Sequence, residues 1–185
     1  MISIEIRRFD SSSNPKYYNI EYEVPSDLTL LQALQYIKST IDPTLTFESG
    51  CRSGICGVCA MRVNDKEVLS CSYKPQDGDT VLPLEYHRVI RDLVVDKKVP
   101  KETLYRSKAW LNRVQKVDIT IEDEKRVEIQ SDCILCDICY SACPVYAVNP
   151  RFLGPFALTR AYRYSVDRRE GDVKSTIDAI QVDGV

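Results

Sequence analysis

Eight cysteines fall into two tight groups, and no other feature limits this chain so severely. Cys51, Cys56, Cys59 and Cys71 make the first group. Cys133, Cys136, Cys139 and Cys143 make the second, and the stretch between holds none. A disulfide framework also uses an even count, but it spreads cysteines to staple distant segments. Grouping of this kind suits thiolates that converge on metal. Structural zinc favours paired C-x2-C knuckles, often with histidine, and the first group offers one such pair, Cys56 and Cys59. Its full spacing, C-x4-C-x2-C…C, is that of plant-type [2Fe–2S] centres. The second, "CILCDICYSACP", is C-x2-C-x2-C-x3-C-P, the run of bacterial cubane ferredoxins. Both runs, in order in one chain, favour iron–sulfur over zinc or disulfides.

The residues around the first group have the chemistry such a centre needs. A loop that curls around a cluster needs close backbone approach and positive φ, which Gly50, Gly54 and Gly57 permit. Successive N–H groups of a curled loop can point at the sulfurs and stabilise the charge added on reduction. "AMRV" (Ala60–Val63) and "EVLS" (Glu67–Ser70) predict two strands around a turn at Asn64-Asp65-Lys66, a hairpin that folds Cys71 back toward Cys59.

Elsewhere, Ile2–Phe9 and Tyr18–Val24 alternate as paired strands across "DSSSNPK". "TLLQALQYIKS" predicts a helix with Thr29 and Gln32 as a capping box, Leu30, Leu31, Leu34 and Ile37 facing a sheet, and Pro43 as its stop. "LTFE" and "TVLPL" add to that sheet. "VIRDLVVD" (Val89–Asp96) and a helix over "KETLYRSKAWLNRV" lead out of it. "ITIEDEKRVEIQ" reads as a polar, partly extended linker. "GPFALTRAYRYSVDRRE" predicts an amphipathic helix with Leu158, Ala161, Tyr162 and Val166 inward. Two domains are expected, 1–105 and 106–185. With Lys+Arg at 25 and Asp+Glu at 27, there is no basic footprint for nucleic acid. The N-terminus starts directly as a strand, so a cleavable signal peptide is not expected, and no window approaches a membrane span.

"CRSGICGVCAMRVNDKEVLSC", "RDLVVD" and "CILCDICYSACPVYAVNPRFLGPFALTRAYRYSVDRRE" together resemble the iron–sulfur subunit of succinate dehydrogenases and fumarate reductases, over nearly the whole chain. The resemblance implies an α+β chain: a β-grasp [2Fe–2S] ferredoxin-like domain, then a helical bacterial-type ferredoxin-like domain. It implies a [2Fe–2S] cluster on Cys51, Cys56, Cys59 and Cys71. It also implies a [4Fe–4S] cluster on Cys133, Cys136 and Cys139, with its fourth ligand outside this sequence. Cys143 goes to a further centre, [3Fe–4S] in most members, whose companions are also outside it. The family continues into another cysteine-rich stretch where this sequence stops at "IQVDGV", so the chain resembles a truncated subunit with an incomplete second domain. The implied partners are a flavoprotein subunit with FAD and a membrane anchor with quinone. The implied location is peripheral on the cytoplasmic membrane, on its cytoplasmic face by default, or on the periplasmic face by co-export. Pro144, Tyr146 and Asn149 would border a quinone pocket. Tyr146 and Val148 stand where ubiquinone-linked members usually carry tryptophan, which favours a fumarate-reductase type and menaquinone.

No substrate bond is expected to break on this chain. It has one histidine, His87, read as structural, no nucleotide-binding glycine fingerprint and no Ser–His–Asp set. Arg160, Arg163, Arg168 and Arg169 read as a solvated helix face ahead of the alternative, an approach to a partner. Three competitors share parts of the pattern: a soluble two-domain ferredoxin-like carrier, an iron–sulfur subunit of a related flavoenzyme such as a thiol-linked fumarate reductase, and a zinc-stabilised interaction module.

Overall fold

The computed structural model describes residues 1–149 and 151–181, so the last residues of the "IQVDGV" end lie outside the described residues. By internal contacts the chain groups into two compact units. Met1–Asp96 and Ile134–Ala142 form the first, and Lys97–Cys133 with the residues from Cys143 onward form the second.

The first unit opens with β1 (Ile2–Phe9) and β2 (Tyr17–Val24), antiparallel from Ile2 opposite Val24 to Phe9 opposite Tyr17. Alternation turns Ile4 and Ile6 inward and, at the next position of the same face, Arg8. Thr29 and Gln32 form the capping box of α1 (Leu30–Tyr36). Leu30, Leu31, Leu34 and Ile37 are all buried. The helix widens into one π turn over Ile37–Ile41 and ends at Asp42, before Pro43.

β3 (Ala60–Val63) and β4 (Lys66–Leu69) pair around Asn64-Asp65, with Lys66 already in the strand. β5 (Asp79–Leu82) runs parallel to β1 and antiparallel to β3, giving the sheet order β2-β1-β5-β3-β4. Leu45–Glu48 is not a strand of this sheet. The Thr46 N–H is spent on the Asp92 carboxylate at 2.8 Å rather than on a neighbouring strand. "VIRDLVVD" forms its own ribbon, β6 (Arg88–Arg91) with β7 (Val94–Asp96). The main core gathers Ile4, Ile6, Leu34, Ile37, Met61 and Val81 with their neighbours, and no cysteine takes part in it.

Helices follow: α2 (Lys98–Arg106), α3 (Ile121–Ser131), α4 (Ile138–Ser141), α5 (Pro144–Val148), α6 (Pro155–Ser165) and α7 (Val173–Ile180). Only α4 groups with the first unit. α2 starts earlier than the sequence suggests, with Pro100 tolerated in its first turn, and it stops at Ser107, before left-handed Lys108 (φ 47°). The segment expected to be a partly extended linker is mostly helix α3. Thr120 and Asp123 form a reciprocal capping box, and Glu122, Asp123 and Glu124 sit favourably at the positive end of the helix dipole. On α6 the inward stripe is turned from the one expected. Phe156, Ala157 and Ala161 are buried, as is Leu153 just before the helix; Leu158 and Val166 are half-buried, and Tyr162 is 51% exposed.

Candidate metal centre

A buried ionic network holds the chain where it enters the first cysteine loop. Arg8 donates from Nε to Asp92 at 2.9 Å, from Nη1 to Asp42 and Tyr22, and from Nη2 to Thr44 at 2.9 Å. Asp92 also accepts the N–H groups of Phe9 and Thr46. Hydrogen bonds from Thr44 outweigh burial and hold the Asp42 carboxyl well below the usual range. Burial beside Asp42 pushes the Tyr22 phenol up to about 12. Residues 42–46 are thus tied to β1 and to the turn between β6 and β7 before the loop begins.

Within the loop the backbone serves sulfur. Cys51 Sγ accepts the N–H groups of Ser53 and Ile55 at 3.4 Å and of Cys56 at 3.3 Å. The Cys51 N–H reaches Cys56 Sγ at 3.4 Å. These donors lower the exposed Cys51 thiol to about 6. Cys51 and Cys56 therefore form one pair. The hairpin sets Ala60 opposite Leu69, and the Ser70 N–H donates to the Cys59 carbonyl at 3.1 Å, so Cys71 returns beside Cys59 as a second pair. Burial pushes the Cys59 thiol up. Burial works the same way on Cys71, but Ser72, Cys59 and the Gly54 N–H bring it down. Cys71 also senses the charge of Cys51, so the two pairs adjoin. None of the eight cysteines is in a disulfide. Among the described residues no three His, Cys, Asp or Glu side chains close on a single ion position. Two adjoining thiol pairs suit two metals better than one tetrahedral ion.

The glycines divide their roles differently from the expectation. Gly54 (φ 73°) and Gly57 (φ 70°) take left-handed backbone, and Arg52 (φ 63°) does so without being glycine. Gly50 serves by its size: a Cβ there would lie 2.8 Å from Cys56 Sγ. A Cβ at Gly57 would lie 2.6 Å from the Cβ and 2.8 Å from the Cα of Cys136. On the far side of the hairpin, the first N–H groups of α1 are satisfied by carbonyls flanking Cys71. Leu30 donates to Tyr73 at 2.8 Å and Leu31 to Ser70 at 2.9 Å. The Ser70 hydroxyl is buried and makes no well-formed hydrogen bond, with the Cys59 sulfur the group it acts on. These features fit a sulfide-bridged iron pair: four thiols in adjoining pairs, N–H groups aimed at sulfur, a cradle that a Cβ would fill, and a spare buried donor.

The second cysteine group is divided between the units. In the first, left-handed Leu135 and Asp137 (φ 55° and 67°) curl the chain around Cys136, which packs near Ala60, Leu84 and Val95. Ser141 Oγ accepts the Glu85 N–H at 2.8 Å and donates to Glu67 at 2.9 Å, fixing the turn that carries Cys139. In the second unit, Arg160 Nη2 donates to the Cys133 carbonyl. Cys143 caps α5, accepting the Tyr146 N–H at 3.4 Å. Pro144 is exposed at the start of α5, Tyr146 is buried, and half-buried Asn149 accepts the Arg151 N–H. Spacing did not single out Ser70, Gly57's contact with Cys136, or Arg160's carbonyl bond. The only sequence signal for Ser70 is a hydroxyl directly before Cys71. Arg163, Arg168 and Arg169 are engaged within their own unit, with Asp167, Asp123 and Asp167 respectively. His87 Nδ1 lies 2.6 Å from the Glu85 carbonyl.

Residues 3–102 match the family described as a 2Fe-2S iron-sulfur cluster binding domain. The chain is 33% identical to the fumarate reductase iron-sulfur subunit of Haemophilus influenzae, over 92% of this chain and 75% of that one. It is 36% identical to the Mycobacterium tuberculosis subunit of the same name, covering 91% and 74%. It is 34% identical to the succinate dehydrogenase iron-sulfur subunit of Paracoccus denitrificans, covering 95% and 74%. Among solved structures, a chain of the Mycobacterium smegmatis Sdh1 complex in the apo form superposes with a TM-score of 0.82 at 21% identity, over 97% of this chain and 81% of that one.

Proposed function

The chain belongs to the family of iron–sulfur subunits of fumarate reductases and succinate dehydrogenases, and from that membership and its adjoining thiol pairs we propose that it is the electron relay of such an oxidoreductase. It is an oxidoreductase subunit that performs no bond chemistry of its own. Cys51 and Cys56 are assigned to one iron and Cys59 and Cys71 to the other of a [2Fe–2S] cluster, held on a β-grasp domain over 1–105. A cluster held by these four thiolates would supply one-electron redox chemistry. The chain's own part is to fix four sulfurs and to direct the N–H groups of Ser53, Ile55 and Cys56 at the exposed Cys51 sulfur, which favours the more negative, reduced state.

Cys133, Cys136 and Cys139 are assigned to a [4Fe–4S] cluster and Cys143 to a [3Fe–4S] centre, in a helical domain over 106–185, which leaves their remaining ligands outside these residues. Electrons would enter from a membrane quinol, with menaquinone favoured and Pro144, Tyr146 and Asn149 at its border. They would leave from the [2Fe–2S] end to the FAD of a flavoprotein subunit that interconverts fumarate and succinate. The location that goes with this is peripheral, on the cytoplasmic face. No helix among the described residues is long and apolar enough to cross a membrane.

The observation that carries this reading is the N–H-lined pair of Cys51 and Cys56 beside the hairpin pair of Cys59 and Cys71. The test is EPR of the anaerobically purified chain after dithionite reduction. An S = 1/2 signal that persists on warming, while cubane signals broaden, is expected and should vanish in Cys56→Ala, which leaves no donor atom at that position. A colourless, zinc-loaded, EPR-silent chain would replace the relay with the interaction module.

A further inference from the structure

Beside the first thiol set, Ser70 has a buried hydroxyl with no well-formed hydrogen bond among the described residues. Both of its backbone groups are committed: the N–H to the Cys59 carbonyl at 3.1 Å, the carbonyl to the Leu31 N–H at 2.9 Å. Its position is therefore fixed from two sides, by the hairpin and by the start of α1. The side chain is 0% exposed, and its Oγ makes no well-formed hydrogen bond, although the Cys59 thiol lies close enough to be lowered by it. Buried hydroxyls ordinarily find a partner, and the Cys59 sulfur within its influence becomes a strong, anionic acceptor once it is a metal-bound thiolate. The neighbours along the chain and across the hairpin are Cys71 and Cys59. Asp79, the buried carboxylate at the start of β5, is already engaged by Asn64, Tyr73 and Gln76.

We propose that the Ser70 hydroxyl donates a hydrogen bond to sulfur of the [2Fe–2S] centre, the Cys59 thiolate or a bridging sulfide, and thereby sets its reduction potential. This rests on the cluster assignment above. Both acceptors are anionic sulfur, and the hydroxyl keeps its proton. Reduction adds one electron from dithionite or quinol to a ferric iron, and no bond is made or broken. The added charge strengthens the hydrogen bond, so the donor favours the reduced state and raises the potential. The N–H donors of the loop gather on exposed Cys51, while Cys59 is buried. Ser70 would supply the matching donor on the buried side, where weaker screening makes one bond count for more. Ser70 is thus a positioning residue for electron affinity.

The test is an anaerobic redox titration of the full chain, read by EPR, on wild type, Ser70→Ala and the isosteric pair Ser70→Thr and Ser70→Val. Ser70→Ala and Ser70→Val are expected to load iron normally and to lower the midpoint potential by about a tenfold change in the reduction equilibrium, ~59 mV for one electron. Ser70→Thr should restore it. Unchanged potentials in both Ala and Val would overturn the inference. So would Thr falling with Val, which would assign the effect to packing, or an Ala variant that fails to load iron, which would assign the hydroxyl to assembly. A wild-type chain that never binds a binuclear cluster would instead remove the reading beneath.

Discussion

At Gly57 the chain has no room for a methyl group and adopts a backbone that few side chains tolerate. Gly78 shares the second property (φ 83°) but faces open space, so the two separate strain from crowding. Gly78→Ala should lose roughly 1–2 kcal/mol from left-handed strain alone. Gly57→Ala should lose a further ~1–3 kcal/mol, because the obstruction is the Cys136 backbone and cannot swing aside. Denaturant melts of the two variants check this, and equal losses would show that the contact yields freely. At this scale the sequence was legible where chemistry demands a residue type: the eight cysteines and the left-handed Gly54 and Gly57. It was silent where a residue matters only through its neighbours. Nothing in "LSC" tells that the serine hydroxyl is buried toward Cys59, and nothing in "CGVC" tells that its glycine must clear a cysteine from the other group.

Elements are held here by devices of very unequal visibility. The capping box of α1 and the alternation of β1 could be read directly, because propensity, pattern and packing agree in them. α3 could not be read so easily. It buries no residue, so it lacks the apolar stripe that marks a helix, and its only local announcement is the Thr120–Asp123 cap. Thr120→Ala should therefore cost about 1 kcal/mol and fray this helix. Amide exchange in residues 121–126 is the measurement, and undiminished protection would count against the cap as its main support. Arg8 joins three elements that sequence shows only as separate pieces: β1, the end of the helix at Asp42, and the turn at Asp92. Arg8→Ala leaves Asp92 buried without its partner and should cost about 3–5 kcal/mol. The Asp42 contribution has a definite pH dependence. Its carboxyl is depressed in the folded chain, so the stabilisation is complete above the ordinary carboxylate value near ~4 and is lost as pH falls toward its own lower value. The stability gap between wild type and Asp42→Asn should be level from pH 7 to 5 and close below that. A gap constant to pH 3 would contradict the assignment.

For the molecule as a whole, the main core and the sulfur loop are separable in composition. Ile4, Ile6, Leu30, Leu34, Ile37, Met61 and Val81 meet without any cysteine among them. Stripping iron with a chelator should accordingly leave the sheet's circular dichroism and a cooperative melt, while exchange rises in residues 50–58. Loss of the whole transition would mean that the sheet depends on the metal. Fold class was legible at this scale because β, α and cysteine signals come in an order few architectures share. The grouping of residues 134–142 with the first unit was not, since it depends on contacts such as Ser141 with Glu67 and Glu85 that span the chain. The sheet order has one more consequence, and it concerns synthesis. β1 and β2 can pair as soon as they are made, and so can β3 and β4, but β5 lies between the two hairpins. On a translating ribosome the hairpin that returns Cys71 beside Cys59 therefore needs only neighbouring residues to form, whereas β1 waits until Asp79–Leu82 for its parallel partner. Pairing within the hairpin is local and early; joining the two halves of the sheet falls to β5, the last of its five strands to be made.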